Sequence, residues 1–333
     1  MPVPFTRIPA TIESNLDKNK VMENAGLQYS QIPFTVLFAE ARFEQEDIGQ
    51  FEHEDTSTVP ASVGGAYAFL RDTDANNDLR DGRLGFNTSP WPWLSLSAHY
   101  RNRLSDTDYD HRLDLAVDRT TGALIKNPGY SAFIRHRKMD TDDALAKLVL
   151  RPATWLRTTI TYQRVATDYF TTTDPVTNSI VPEGLMAGRY EGNTYGFGLT
   201  LTPFQRFYFS GTFTYSDSRT GTAQNGNPSV VPYKGDIYSL ITSANYSINK
   251  MTDLHCAYSF SRADFGQNNL ADGLPLGLTY TRHGLMAGVS RRLTSYLTST
   301  LRYGFYHYSE PSSAGINDYT AHGVFATLAV RWP

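Results

Sequence analysis

Between residues 72 and 82 the chain reads Asp72-Thr73-Asp74-Ala75-Asn76-Asn77-Asp78-Leu79-Arg80-Asp81-Gly82. Asp72, Asp74, Asn76 and Asp78 offer oxygen ligands at alternate positions, the chemistry that a hard cation such as calcium selects. This is not an EF-hand loop, because Asn77 stands where the sharp-turn glycine belongs and Arg83 where the bidentate glutamate belongs. A hairpin turning near residue 91 would lay the stretch against Ser105-Asp106-Thr107-Asp108-Tyr109-Asp110, so that two acidic segments share a calcium ion at an outer loop. The same residues equally suit a solvated rim of Asx turns that holds no ion.

A second group consists of charges on the polar side of alternating segments: Glu40, Arg42, Glu44, Arg83, His99, Arg101, Arg157, Arg302 and Arg331. Facing the lumen of a pore, such charges bias ion selectivity. Against an inserted protein they supply ion pairs, and on a hydrated wall they pair with one another. The eight histidines show no H-E-x-x-H spacing, and His136 sits among Arg135, Arg137 and Lys138, a poor setting for a metal. No nucleophile elbow is present. The expectation is a protein that is not an enzyme and binds no haem of its own.

What positions these residues is a repeated hairpin. Tight turns read Ser89-Pro90-Trp91-Pro92-Trp93, Arg151-Pro152-Ala153-Thr154-Trp155, Thr202-Pro203-Phe204-Gln205-Arg206, Ile248-Asn249-Lys250-Met251 and Leu293-Thr294-Ser295-Tyr296. Between them lie long loops rich in Gly, Asn, Pro, Asp and Ser, at 171–187, 218–234, 265–277 and 309–318. The segments between turns and loops alternate with period two. In 195–201, Tyr195, Phe197, Leu199 and Leu201 oppose Gly196, Gly198 and Thr200; in 319–332, Val324, Ala326, Leu328, Val330 and Trp332 oppose Gly323, Phe325, Thr327, Ala329 and Arg331.

Short turns at one end, long loops at the other and aromatics beside the turns predict an all-β, antiparallel transmembrane β-barrel of outer-membrane type with about 13–14 strands. Trp91, Trp93, Trp155, Phe204, Phe207, Tyr296 and Trp332 then serve as interface anchors on the periplasmic side. A soluble sandwich gives the same alternation with its apolar face turned inward. The hairpins pair 20–30 with 34–46, 66–88 with 92–104, 134–150 with 155–170, 188–202 with 206–218, 235–248 with 252–264 and 279–293 with 296–308, before a last strand at 319–332. That odd number implies a missing partner: the 5–13 stretch, an upstream portion, or a miscounted strand.

Composition agrees. The 333 residues include 21 Tyr and 18 Phe against 6 Met and 1 Cys, and aromatic rings suit strands and membrane interfaces. Mean hydropathy is -0.39, and no apolar run approaches the ~20 residues of a helical span. The net charge of -3 argues against a nucleic-acid surface, and the lone Cys256 excludes an internal disulfide. Residues 1–20 show no secretory signal, so 1–19 reads as an extension or truncated lead-in to a barrel at 20–333.

The hairpin style resembles the MtrB/PioB-type decahaem-associated outer-membrane β-barrel proteins. The matching pieces are Pro90 to Trp93 followed by Leu94, Leu96, Ala98 and Tyr100; Pro152 to Trp155 followed by Leu156, Ile160 and Tyr162; and Thr252-Asp253-Leu254 followed by Cys256, Tyr258 and Phe260. The resemblance covers most of 80–332 and implies a C-terminal portion of a larger barrel of about twenty-six strands. It also implies a function: a porin-like scaffold in the bacterial outer membrane, sheathing a periplasmic multihaem c-type cytochrome for transmembrane and extracellular electron transfer, with a surface cytochrome as a further partner. The alternative is a diffusion porin or substrate channel with no haem partner.

Overall fold

A computed structural model describes residues 11–55, 68–117, 124–126, 134–173, 187–222, 233–266 and 277–332. The strands are β1 (Thr11–Tyr29), β2 (Thr35–Asp55), β3 (Ala68–Trp91), β4 (Leu94–Val117), a three-residue β5 (Leu124–Lys126), β6 (Ile134–Ala153) and β7 (Leu156–Thr173). They continue as β8 (Ala187–Leu201), β9 (Phe207–Thr222), β10 (Tyr233–Asn249), β11 (Thr252–Gly266), β12 (Gly277–Arg292), β13 (Leu297–Ser309) and β14 (Tyr319–Val330). All join one antiparallel sheet in chain order, with β5 pairing only β4. Among the described residues β1 and β14 each pair on one side only, so the sheet is open between them.

One backbone bond recurs at the short-turn end. A residue of each hairpin's turn accepts from the strand that follows the hairpin: Ser89 N–H donates to Phe34 O (2.9 Å), Arg151 to Trp93 (2.7 Å), Thr202 to Trp155 (2.8 Å), Ser247 to Arg206 (2.8 Å), Arg292 to Met251 (2.8 Å) and Arg331 to Tyr296 (2.9 Å). The tight turns are thus stitched into one rim, which satisfies backbone groups that a turn would otherwise leave open. At the other end only 309–318 among the expected loops is fully described. It holds a single 3-10 turn, Pro311–Ser313, closed by Ala314 and Gly315 at φ 52° and 82°. Most of 171–187, 218–234 and 265–277 lies outside the described residues.

The strands run further toward the long-loop end than the alternation suggested. β2 reaches Asp55 and β4 reaches Val117, where the pattern had ended near 46 and 104. β1 begins at Thr11, so part of the 5–13 stretch belongs to the first strand and is not a separate partner.

The sheet curls toward one face. Side chains alternate across a strand, and cross-strand partners share a face. Glu44, Glu46, Ala75, Leu79, Val149, Thr167 and Ala263, all buried, then fall on the same side, as do the buried glycines 192, 235, 284 and 304. That side is concave, because neighbouring strands crowd only the side chains on the inside of a bend.

Candidate functional site

The convex face carries the apolar side chains. From the short turns inward it presents Leu94, Leu96 and Ala98 on β4; Leu201, Leu199 and Phe197 on β8; Phe207, Phe209 and Phe213 on β9; and Val330, Leu328 and Val324 on β14. Phe197 is 46%, Phe213 41% and Leu328 68% exposed. No Asp, Glu, Lys or Arg lies on this face between Leu94 and Tyr100, Leu156 and Tyr162, Phe207 and Tyr215, Thr252 and Tyr258, or Leu297 and Tyr303.

A row of tyrosines closes this band. Tyr162, Tyr195, Tyr215 and Tyr238 are direct cross-strand partners. Their ring centroids are 5.1, 6.1 and 4.7 Å apart in sequence along the row. Each hydroxyl with a resolved partner reaches diagonally away from the short turns. Tyr162 donates to Asn193 Oδ1 (3.0 Å), Tyr215 to Asp236 Oδ1 (2.9 Å) and Tyr100 to Asp142, while Tyr258 and Tyr303 bond Nδ1 of His283 (2.9 Å) and His322 (2.7 Å). In all five cases the partner lies two positions beyond the tyrosine's direct neighbour, on the long-loop side. The rings therefore mark a boundary between an apolar and a polar zone. Six to eight residues separate Tyr162, Tyr195 and Tyr215 from the turn ends of their strands, ~20–27 Å of strand, comparable with the about 25 Å apolar band of membrane barrels.

At the short-turn end stand the expected aromatics. Trp91 and Trp93 stack at 5.5 Å and Phe204 meets Phe207 at 5.6 Å. Trp155, Tyr296 and Trp332 are exposed at the same end.

Compared with models of known protein families and with curated proteins, the chain matches none. The chemistry of the concave face must speak for itself. It divides into two regions. Over β1 to β4 it is an ion-pair lattice: Lys20 and Arg42 both reach Glu44, Lys18 reaches Glu46, Arg71 Nη1 lies 3.4 Å from Glu52, and Arg101 grips Asp81 with Nε at 2.7 Å and with Nη2. Over β7 to β13 it is low and hydroxylic, with Thr194–Ser216 (2.5 Å), Ser210–Ser243 (2.9 Å) and Ser290–Thr300 (2.9 Å) pairs and interspersed glycines. Gly288 is one that must be small: a Cβ there would lie 2.7 Å from the Leu301 carbonyl oxygen.

Of the charges expected in a lumen, Glu40, Arg42, Glu44, Arg83, His99 and Arg101 come together on β2, β3 and β4. Arg157 and Arg302 share their face but stand apart on β7 and β13, and Arg331 lies just past β14. A cleft of ≈ 650 Å³ opens among Asn24, Glu40, Arg42, Asp81, Arg83, His99 and Arg101.

The acidic stretch lies on the convex face beyond the tyrosines. β3 is extended through it, so Asp72, Asp74, Asn76 and Asp78 are spaced at ~6.7 Å intervals along the strand. The strand therefore does not gather them around one ion. Gathering occurs across strands, where Asp78 faces Asp106, Asn76 faces Asp108 and Asp74 faces Asp110. The tightest metal-type set among the described residues is Asp106, Asp108 and His136, whose ligand atoms lie within 4.8 Å of one another. His136 Nδ1 sits 2.8 Å from Asp108 and Nε2 3.4 Å from Asp106, so the imidazole is already shared by two carboxylates.

The tyrosine row was missed in the sequence, although a signal existed. The seventh residue of β4, β7, β11 and β13 is a tyrosine in each case: Tyr100, Tyr162, Tyr258 and Tyr303.

Proposed function

We propose that this chain is a membrane-spanning β-barrel wall of the bacterial outer membrane, with lipid on its convex face and a lumen on its concave face. The observation that carries the reading is the inverted burial pattern. The crowded concave side is charged and hydroxylic, and the open convex side is apolar and bounded by aromatics at both ends. A soluble sandwich needs the reverse. In water, an apolar strip crossing a dozen strands would far exceed the few hundred Å² that a soluble monomer tolerates. Lipid also forbids unpaired strand edges, so β1 and β14 pair there with each other or with further strands, closing a barrel. Short turns face the periplasm and long loops the exterior.

We further infer that the lumen sheaths a multihaem c-type cytochrome and that the wall itself is electrically passive. Two features support this. The Ser/Thr/Gly surface of β8 to β10 presents few long side chains, so a folded partner can approach closely without displacing them. The ion-pair lattice of β1 to β4 offers fixed charges for registering that partner. Pattern-level resemblance to the MtrB/PioB-type barrels points the same way. The same lattice favours a second reading, an ion-selective diffusion channel, because charges of both signs line the concave face.

The test is purification from the native outer membrane in mild detergent, followed by an absorption spectrum and a haem-stained gel. A stoichiometric c-type cytochrome is expected. A colourless, monodisperse barrel with measurable conductance would replace the sheath by the channel.

A further inference from the structure

The cleft on β1 to β4 holds more cationic donors than its own acids can satisfy. Arg101 is fully engaged by Asp81. Arg83 is not: its carboxylate contact, Glu40, lies 3.6 Å from Nη1, and its Nε is buried without a partner. Arg42 points at Glu44, which it shares with Lys20, and its Nε is likewise buried and unpartnered. An unmatched buried donor carries a desolvation cost that a bound acceptor removes.

Two further facts aim the site at an anion. Arg83 and Arg101 are direct cross-strand partners, and like charges placed opposite repel. Arg83 Nη2 also donates to His99 Nδ1 (3.3 Å), which leaves that nitrogen as the acceptor and Nε2 as the protonated one, a third donor type beside the guanidinium groups. The Arg83 guanidinium rests 5.1 Å above the Phe38 ring, so it is held in the cleft from behind. Gly85, the cross-strand partner of His99, adds no side chain to the space between them; a Cβ there would lie 2.6 Å from Phe38 and 2.7 Å from His99.

We propose that this cleft is an oxyanion site for a carboxylate or phosphate, with Arg83 as principal contact and Arg42 and the His99 Nε2–H as supporting donors. The inference rests on the reading of the concave face as a lumen. Two sources supply that chemistry: a small anion in the lumen, or a carboxylate on a protein held there.

The experiment titrates the purified full-length chain in detergent with inorganic phosphate, followed by phosphorus NMR line broadening. Saturable binding is expected, weakened about tenfold or more in Arg83→Gln, the range for a lost hydrogen bond to a charged group. Asn24→Asp, which adds a negative charge to the cleft without touching an ion pair, is expected to weaken it too. Arg302→Gln, on the same face but outside the cleft, is expected to bind as the parent does. Folding of each variant is checked by its heat-dependent gel shift. Absence of saturable binding, or equal binding by all variants, overturns the site. If phosphate also releases a co-purifying protein, the natural anion is that protein's carboxylate; if it binds and releases nothing, the anion is a solute. A chain recovered in the outer membrane that binds no phosphate sinks this site alone, whereas a chain absent from that membrane sinks the lumen reading itself.

Discussion

In the proposed membrane wall the tyrosines would end one zone and begin another, the ring in lipid and the hydroxyls of Tyr100, Tyr162, Tyr215, Tyr258 and Tyr303 on polar partners beyond it. Tyr215→Phe keeps the ring and removes the bond to Asp236. The bond is to a carboxylate, so the expected cost is about 1.5–3 kcal/mol in urea unfolding from lipid vesicles; a change indistinguishable from zero would mean the diagonal bonds are incidental. Asp142, beyond the band, accepts from the Tyr100 hydroxyl and the Asn102 amide, and these bonds hold its carboxyl below the ordinary range. A depressed value stabilises the fold at pH above the ordinary ~3.9 and is lost as pH falls through the depressed value. Carbon-detected NMR of Asp142 is expected to show a midpoint below that ordinary value, moving upward in Tyr100→Phe. The turn aromatics were legible from the sequence because Pro and Trp fall together at Trp91, Trp93 and Trp155. The tyrosines recur in the sequence at the seventh position of β4, β7, β11 and β13, but their alignment into one row exists only across strands and depends on register.

At the scale of elements, the period-two segments were legible wherever apolar and polar residues contrast. On β8 the alternation of Tyr195, Phe197 and Leu199 with glycine and threonine leaves no other reading. On β2 the pattern fades at Glu44-Gln45-Glu46-Asp47, yet the strand continues to Asp55. There both faces are polar, so hydrophobic contrast no longer reports strand, and pairing to β1 and β3 sustains it instead. The same lack of contrast makes the acidic stretch resemble loop-end chemistry in the sequence, although β3 runs through it. Edges carry a separate consequence. β1 and β14 each leave a row of backbone groups unpaired among the described residues. In lipid those groups must find partners. Hydrogen exchange of the membrane-embedded protein is expected to protect amides along both strands as strongly as those of β9. Rapid exchange along either strand would contradict closure.

Across the whole molecule, charge and polarity sort by face more than by position along the chain. Concave cations such as Lys18, Arg42, Arg83 and Arg103 mix with Glu44 and Asp81, while Asp74, Asp78, Asp106, Asp140 and Asp142 stand on the convex rim beyond the tyrosines. A net charge of -3 conceals that division. Neighbouring residues should therefore respond oppositely to the same insult. Leu199→Arg, on the apolar band of β8, is expected to cost about 2–4 kcal/mol in unfolding from lipid, and Thr200→Arg, on the concave face, under about 1 kcal/mol. Equal costs would mean the two faces see the same solvent.

The most direct test of the inverted sheet is a nitroxide scan through β8 and β9 in lipid vesicles, with Cys256 replaced by Ser. Collision rates with oxygen, which concentrates in lipid, and with a water-soluble nickel complex would be read at each position. Period-two alternation is expected: oxygen contact highest at Phe197, Leu199, Phe209 and Phe213, nickel contact highest at Gly198, Thr200, Ser210 and Thr212, and the alternation fading beyond Tyr195 and Tyr215. Absent periodicity, or the opposite phase with the concave face in lipid, would contradict it.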